Sequence, residues 1–301
     1  MDAPTLRVGD LEAMSSYYAQ AFAFEPLEER GLGGHVHRVL GRGSTPMLRL
    51  VHTPDLPVAR PGQAGLFHNA FLLDDAASLA ATVFRAAQHP LSRFIGSADH
   101  LVSEAFYFTD PEGNGIELYT DRPRDQWVWD RGAIRMDTLR LDPGAYLRSH
   151  LSPEAPGASE ALGASGASGE QPVLAGRVGH VHLQVGDVAA ARAFYVDAIG
   201  FEATLTGYPG ALFASAGGYH HHIAMNVWNS AGAGPRAASL GLGEVAVTVP
   251  AREDLDALVA RLSAAGLAFA DDGRSVTARD PWHTQVTVGL PGATATDLLA
   301  L

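Results

Sequence analysis

The chain has 301 residues, 47% hydrophobic and 18% charged, an ordinary globular composition whose length suits two domains at roughly 100–200 residues each. Its 33 acidic residues outnumber 21 basic ones, every basic residue is Arg, and the formal charge is −12; this excludes nucleic acid, where neutralising phosphates supplies much of the affinity, and an anionic membrane surface. The lack of Cys excludes disulfides, thiol nucleophiles and Cys-ligated zinc, and leaves the 13 histidines as the place to look for chemistry.

No apolar stretch nears the ~20 residues of a membrane span. The opening MDAPTLRVGD has neither the charged start nor the apolar run of a signal peptide, so a cytoplasmic protein is expected. Residues 6–25, LRVGDLEAMSSYYAQAFAFE, read as a short alternating strand, a capping Asp10 and an amphipathic helix. HVHRVL (35–40) has strand character. A second strand–helix unit opens at HNAFLLDDAASLAATVFRAAQ (68–88) and closes near DPEGNGIELY (110–119). Asp110, Glu112, Asn114 and Gly115 there mimic a calcium loop, but position twelve is Asp121 rather than Glu and both flanks read as strands; a Pro/Gly turn is the better reading. QWVWDRGAIRMDTLRLD (126–142) is expected to pack back onto the first half. Residues 152–177 are rich in Ser, Gly, Ala, Pro and Glu and cannot bury enough apolar surface to fold, which predicts a flexible linker.

After the linker the pattern starts again. Leu6, Val8, Gly9, Asp10, Ala13, Tyr18, Ala21, Phe24 and Glu25 recur as Leu183, Val185, Gly186, Asp187, Ala190, Tyr195, Ala198, Phe201 and Glu202. ALFASA (211–216) reads as a strand, EVAVTVPAREDLDALVARLSAAG (244–266) is the counterpart of 68–88, and DPWHTQVTVG (280–289) is that of the closing segment. Each half therefore holds two strand–helix–strands units. This pattern resembles the vicinal oxygen chelate superfamily of glyoxalases, bleomycin resistance proteins and extradiol dioxygenases, over nearly the whole chain outside the linker. The resemblance implies an α+β fold in which paired βαβββ modules curl into open cups around a metal. It places a first domain at 1–125, an extension at 126–151, the linker at 152–177 and a second domain at 178–301.

The same resemblance implies three metal ligands: His68, which opens the strand HNAFLLDD, Glu117 in GIELY, and His180 in HVHLQVGD. Two His and one carboxylate form the facial set that leaves positions open on a non-haem iron(II), with manganese(II) as the alternative. His182 rivals His180, because strand residues two apart share a face. The repeat sharpens the set. Ala3 stands where the second half has His180, while Glu244 and Thr287 stand where the first half has His68 and Glu117. Neither half holds a complete triad and together they hold one, so a composite site is expected. The other cup, with Ala3, Glu244 and Thr287, is expected to bind no metal; His35 and His37 are read as strand-surface or second-cup residues.

The segment 99–117 looks like the extradiol ring-cleavage signature through His100, Phe106, Tyr107, Asp110, Pro111, Gly113 and Glu117, with Ala98 as a departure at a small position. In GGYHHHIAMN (217–226), His221 matches the family's acid–base His best, with His220 and His222 open as alternatives. The resemblance is greatest to a catechol 2,3-dioxygenase type subgroup. It implies an oxidoreductase acting on a small aromatic diol, catechol or hydroquinone, and O2, with His221, Tyr107 and His100 as catalytic residues and a homo-oligomer left open. The rivals are a glyoxalase-like isomerase or transferase and a metal-free small-molecule-binding resistance protein.

Overall fold

The computed structural model describes residues 1–151 and 176–291. Four units with one strand–helix–strands plan follow in order. The first comprises β1 (Thr5–Val8), α1 (Leu11–Phe22), β2 (Glu25–Leu32), β3 (His35–Arg42) and β4 (Thr45–His52); the second β5 (Gly65–Leu73), α2 (Ala76–Gln88), β6 (Arg93–Asp99), β7 (Ser103–Thr109) and β8 (Gly115–Asp121). The extension adds β9 (Trp129–Asp130), β10 (Ala133–Ile134), β11 (Leu139–Arg140) and α3 (Pro143–His150). The third unit runs from β12 (Gly176–Gln184) through an α-helix, Val188–Arg192, that widens into a π-helix, Ala193–Ala198, to β13 (Glu202–Leu205), β14 (Ala211–Ser215) and β15 (Ile223–Asn226). The fourth holds β16 (Gly241–Thr248), the helix Arg252–Ala264, β17 (Phe269–Asp271), β18 (Ser275–Arg279) and β19 (Gln285–Gly289).

Local chemistry sets these boundaries. Asp10, Asp75 and Asp187 each accept a hydrogen bond from the backbone N–H three residues on, at 2.9, 2.7 and 2.7 Å, which satisfies a helix-start donor that would otherwise lack a partner. The turn 110–114 is closed by Asp110 itself. Its Oδ1 accepts from the N–H groups of Glu112 and Asn114 at 3.0 and 2.8 Å, and its Oδ2 from the Asn114 amide at 2.8 Å and the Tyr18 hydroxyl at 2.9 Å. Asp280 repeats the arrangement with Trp282, Thr284 and Tyr195. The repeated Tyr and Asp thus join helix to turn within each half, and their carboxylates are spent on turn geometry.

The sheets are assembled across the halves. One has the order β17-β18-β19-β16-β1-β4-β3-β2 and the other β11-β6-β7-β8-β5-β12-β15-β14-β13. The first unit therefore pairs with the fourth through antiparallel β1 and β16, and the second with the third through antiparallel β5 and β12. The repeat marks 1–125 and 178–301 as equivalent, yet each sheet draws on both. β12 begins at Gly176, so Gly176 and Arg177 are strand rather than linker; the rest of the expected linker lies outside the described residues. The extension docks on the first half through β11 beside β6 and through Tyr146 against Phe106. It also reaches the second half, where Trp127 packs on Tyr219 and the Thr138 hydroxyl lies 3.0 Å from that of Tyr208.

Strand alternation then sorts the faces. Phe71, Leu73, Phe106, Phe108, Ile116 and Leu118 turn into a core shared with α1, α2 and β1, while Val181 and Leu183 enter the corresponding core of the second half. The residues between them, among them His68, Tyr107, Glu117, His180 and His182, face the other way.

Candidate metal centre and cavity

β5, β8 and β12 lie side by side at the middle of the second sheet and deliver one side chain each. His68, Glu117 and His180 are buried, and their ligand atoms lie within 4.8 Å of one another. Both imidazoles aim at one oxygen: His68 Nε2 stands 2.8 Å and His180 Nε2 3.2 Å from Glu117 Oε2. The shorter contact lies off the line a hydrogen bond needs, so among the described residues His68 Nε2 has no hydrogen-bond partner despite its burial. Burial opposes charge on Glu117, but the two imidazoles hold its carboxyl well below the usual range. Burial pushes His180 down to about 4 against the pull of Glu117. The centre thus offers a carboxylate and a neutral imidazole at His180, the forms a divalent metal takes; the orphaned His68 nitrogen completes a donor set that fits iron(II) or manganese(II).

The rival His182 shares the face but not the cluster. It lies across the ladder from His68, and the Asn226 amide donates to its Nε2 at 2.9 Å. In the other sheet, Glu244 lies beside the Thr287 hydroxyl, takes a bond from the Gln285 amide at 3.1 Å and faces Arg49 at 3.9 Å. Arg49 donates to His37 Nδ1, and His35 Nδ1 lies 3.0 Å from the His52 carbonyl. These are the second-cup residues of the repeat, with a guanidinium in place of a converging ligand set.

A cavity of about 490 Å³ opens over His68, Glu117 and His180. Tyr107 faces Glu117 directly across the β7–β8 ladder. Its hydroxyl lies 2.7 Å from His100 Nε2, while His100 Nδ1 lies 2.8 Å from the Asp137 carbonyl. Burial, and then the charge of Glu117, push the Tyr107 phenol well above its ordinary value, so it stays protonated. The three consecutive histidines occupy the loop before β15 rather than a strand, and the loop sends them apart. His221 lines the cavity with its ring 4.1 Å from that of His180; His220 turns to Asp121 at 2.9 Å and His222 to Ser215 at 2.9 Å. Burial, reinforced by His180 and His220, lowers His221 well below its ordinary value.

Sequence reasoning missed the remaining walls. Met136, Asp137 and Thr138 of the extension close one side, and Phe67, Leu205, Tyr208, Phe213 and Trp228 form an aromatic and aliphatic rim. Two Trp in 126–142 were the available signal, but no periodicity linked that segment to the cavity.

A fold of paired units with a two-His-one-Glu centre defines the class, and the chain belongs to the glyoxalase/bleomycin resistance protein/dioxygenase superfamily, whose sequence pattern matches residues 1–118 and 177–286. Among curated relatives, it is 34% identical to the catechol-2,3-dioxygenase of Bacillus subtilis (strain 168) over 281 residues, 92% of each chain. Among solved structures, a presumed dioxygenase of Bacillus subtilis matches 96% of this chain and 84% of its own with TM-score 0.62 and 13% identity. Glyoxalase I of Zea mays matches 100% and 94% with TM-score 0.58 and 16% identity. These last two are likenesses of fold. Among the described residues, no helix is long and apolar enough to cross a membrane.

The composite centre makes a direct prediction. Fragments 1–151 and 176–301, expressed separately, are expected to bind metal poorly and to regain one site per pair on mixing, because His180 comes from the other half. Metal bound at full affinity by either fragment in equilibrium dialysis would contradict this.

Proposed function

We propose that the chain is an extradiol ring-cleavage dioxygenase, acting on a catechol or related dihydroxybenzene at an iron(II) held by His68, His180 and Glu117, with manganese(II) as the alternative. The observation that carries the reading is one cavity in which a two-His-one-carboxylate set meets proton-handling side chains, His221 on one side and the His100–Tyr107 pair on the other. The identity to a catechol-2,3-dioxygenase supports it. When bound, the metal supplies a chelating centre for adjacent substrate oxygens and a route for electrons to O2. Ring cleavage of catechol retains all atoms of both substrates in a 2-hydroxymuconate semialdehyde, so no reductant is needed.

The protein residues handle protons and exclude water. His221, kept neutral by its burial, accepts a phenolic proton and later returns it. Tyr107 presents a hydroxyl to the substrate oxygen, held in place by His100, whose own ring is fixed by the Asp137 carbonyl. Among the described residues the cavity lining contains no Arg, and its acidic residues are Glu117 and Asp137. A ring with an apolar substituent suits it, whereas a substituent carboxylate would lie beside Asp137 without a cation.

Oxygen uptake by anaerobically iron-loaded protein tests the reading. Stoichiometric uptake is expected with catechols or hydroquinones, with kcat/KM at least about tenfold lower for carboxylate-bearing rings. His221→Ala is expected to keep the metal and lose roughly 10²–10⁴-fold in turnover, and Tyr107→Phe to lose less. No uptake with any diol, or full activity in both variants, would count against it. The glyoxalase-like alternative calls for a fourth oxygen ligand, and among the described residues three side chains converge.

A further inference from the structure

Asp121 ends β8, and strand alternation turns Glu117, Tyr119 and Asp121 to one face. Its Oδ2 accepts from the Tyr219 hydroxyl at 2.9 Å, and that hydroxyl lies 2.8 Å from the Tyr119 hydroxyl. Its Oδ1 lies 2.9 Å from His220 Nε2, and His220 Nδ1 lies 2.7 Å from His221 Nδ1. His220 is fully buried. It packs on Tyr219 with ring centres 4.0 Å apart and planes tilted by 32°, and the Trp127 indole lies against it at 5.2 Å. The ring has no room to turn.

Proton bookkeeping along this chain has one solution for neutral rings. A carboxylate only accepts, so His220 Nε2 carries a hydrogen and the Nδ1 of a neutral His220 is an acceptor. His221 must then donate from Nδ1, and its Nε2 keeps a lone pair. Among the described residues that Nε2 has no hydrogen-bond partner, and the His221 ring lines the cavity.

We propose that Asp121 and His220 are positioning residues for His221: two hydrogen bonds in series hold its ring and fix its hydrogen on Nδ1, so that it meets the substrate with a free lone pair on Nε2. The proposal rests on the reading of His221 as the acid–base group. It explains why the loop spends a second histidine on a partly buried carboxylate outside the metal centre. Without this chain His221 would divide between two tautomers, one of which presents an N–H to the substrate and cannot take its proton. Tyr119 and Tyr219 complete the device: Tyr119 donates to Tyr219, Tyr219 to Asp121, and the carboxylate is held in register with His220.

The tautomer can be read directly, without metal or oxygen, from the nitrogen resonances of ¹⁵N-histidine-labelled metal-free protein, with His221 assigned by the loss of its signal in His221→Gln. The wild type is expected to hold His221 as the Nδ1–H form. His220→Gln supplies an amide that donates to Asp121 and accepts from His221, and is expected to keep that form with kcat within about threefold. His220→Phe preserves the packed ring but neither donates nor accepts. It is expected to give a tautomer mixture and to lower kcat about tenfold or more at a KM within about threefold. A purely structural role predicts the opposite order, because Phe restores the packing on Tyr219 and Trp127 that Gln loses. Asp121→Asn provides a second route to the mixture should His220→Phe not fold. An Nε2–H form in the wild type, or the Nδ1–H form retained in both His220→Phe and Asp121→Asn, would overturn the proposal. Absence of oxygen uptake beside a fixed Nδ1–H tautomer would instead strike only at the dioxygenase reading.

Discussion

Glu117→Ala is expected to remove the metal altogether, with affinity for iron(II) or manganese(II) falling on the order of a thousandfold or more. Glu117 Oε2 is the point on which both imidazoles converge, and without it the two imidazoles supply no negative charge to offset a dication. The effect is visible in stability as well as in turnover. A ligand that binds only the folded state at about 100 times its dissociation constant adds ~2.7 kcal/mol, which for a chain of this size raises Tm by roughly 4 °C. Scanning calorimetry with and without manganese(II) should show that rise in the wild type and none in Glu117→Ala. An equal metal-induced shift in the variant would place the metal elsewhere.

Gly179→Ala is expected to damage both fold and site. Gly179 sits at a register irregularity of β12 beside β5, and a Cβ there would lie 1.8 Å from the Tyr119 hydroxyl oxygen. Neither partner can yield cheaply, since Tyr119 is fully buried and its hydroxyl is tied to Tyr219. Overpacking of this kind costs roughly 1–3 kcal/mol, and the adjacent His180 moves with it. A fall in Tm of roughly 2–5 °C is expected, with weakened metal binding. Tyr119→Phe removes the colliding oxygen and should recover part of the loss in the double variant. Additive losses would show that the collision is not the cause.

The fold was legible because duplication wrote it twice. Asp10 and Asp187 cap equivalent helices, and the complementary gaps at Ala3, Glu244 and Thr287 pointed to the pairing of units that β5 and β12 make. His68, Glu117 and His180 came from the family resemblance, sharpened by those complementary gaps, and they converge in the structure. What the sequence hid were contacts with no periodicity to betray them. Met136, Asp137 and Thr138 reach the cavity from an extension of two-residue strands, where neither alternation nor a helical stripe marks a face. Asp121 could have been found by its even spacing from Glu117, but its partner His220 sits in a loop, where three histidines in sequence give no direction. The π-helix at 193–198 also has no marker, because its stretch keeps Tyr195 and Ala198 at the places of Tyr18 and Ala21 in α1.

The exchange of units between the halves has a bearing on how the molecule arose. Had the halves been separate, identical chains, the same pairing would have produced a twofold-symmetric dimer with two equal cups. A substitution in one gene would then have struck both cups at once, and neither could have lost a ligand without the other. Joining the copies in one chain broke that constraint. Arg49 could then settle beside Glu244 in one cup while the other kept His68, Glu117 and His180, so covalent fusion made specialisation of a single cup possible.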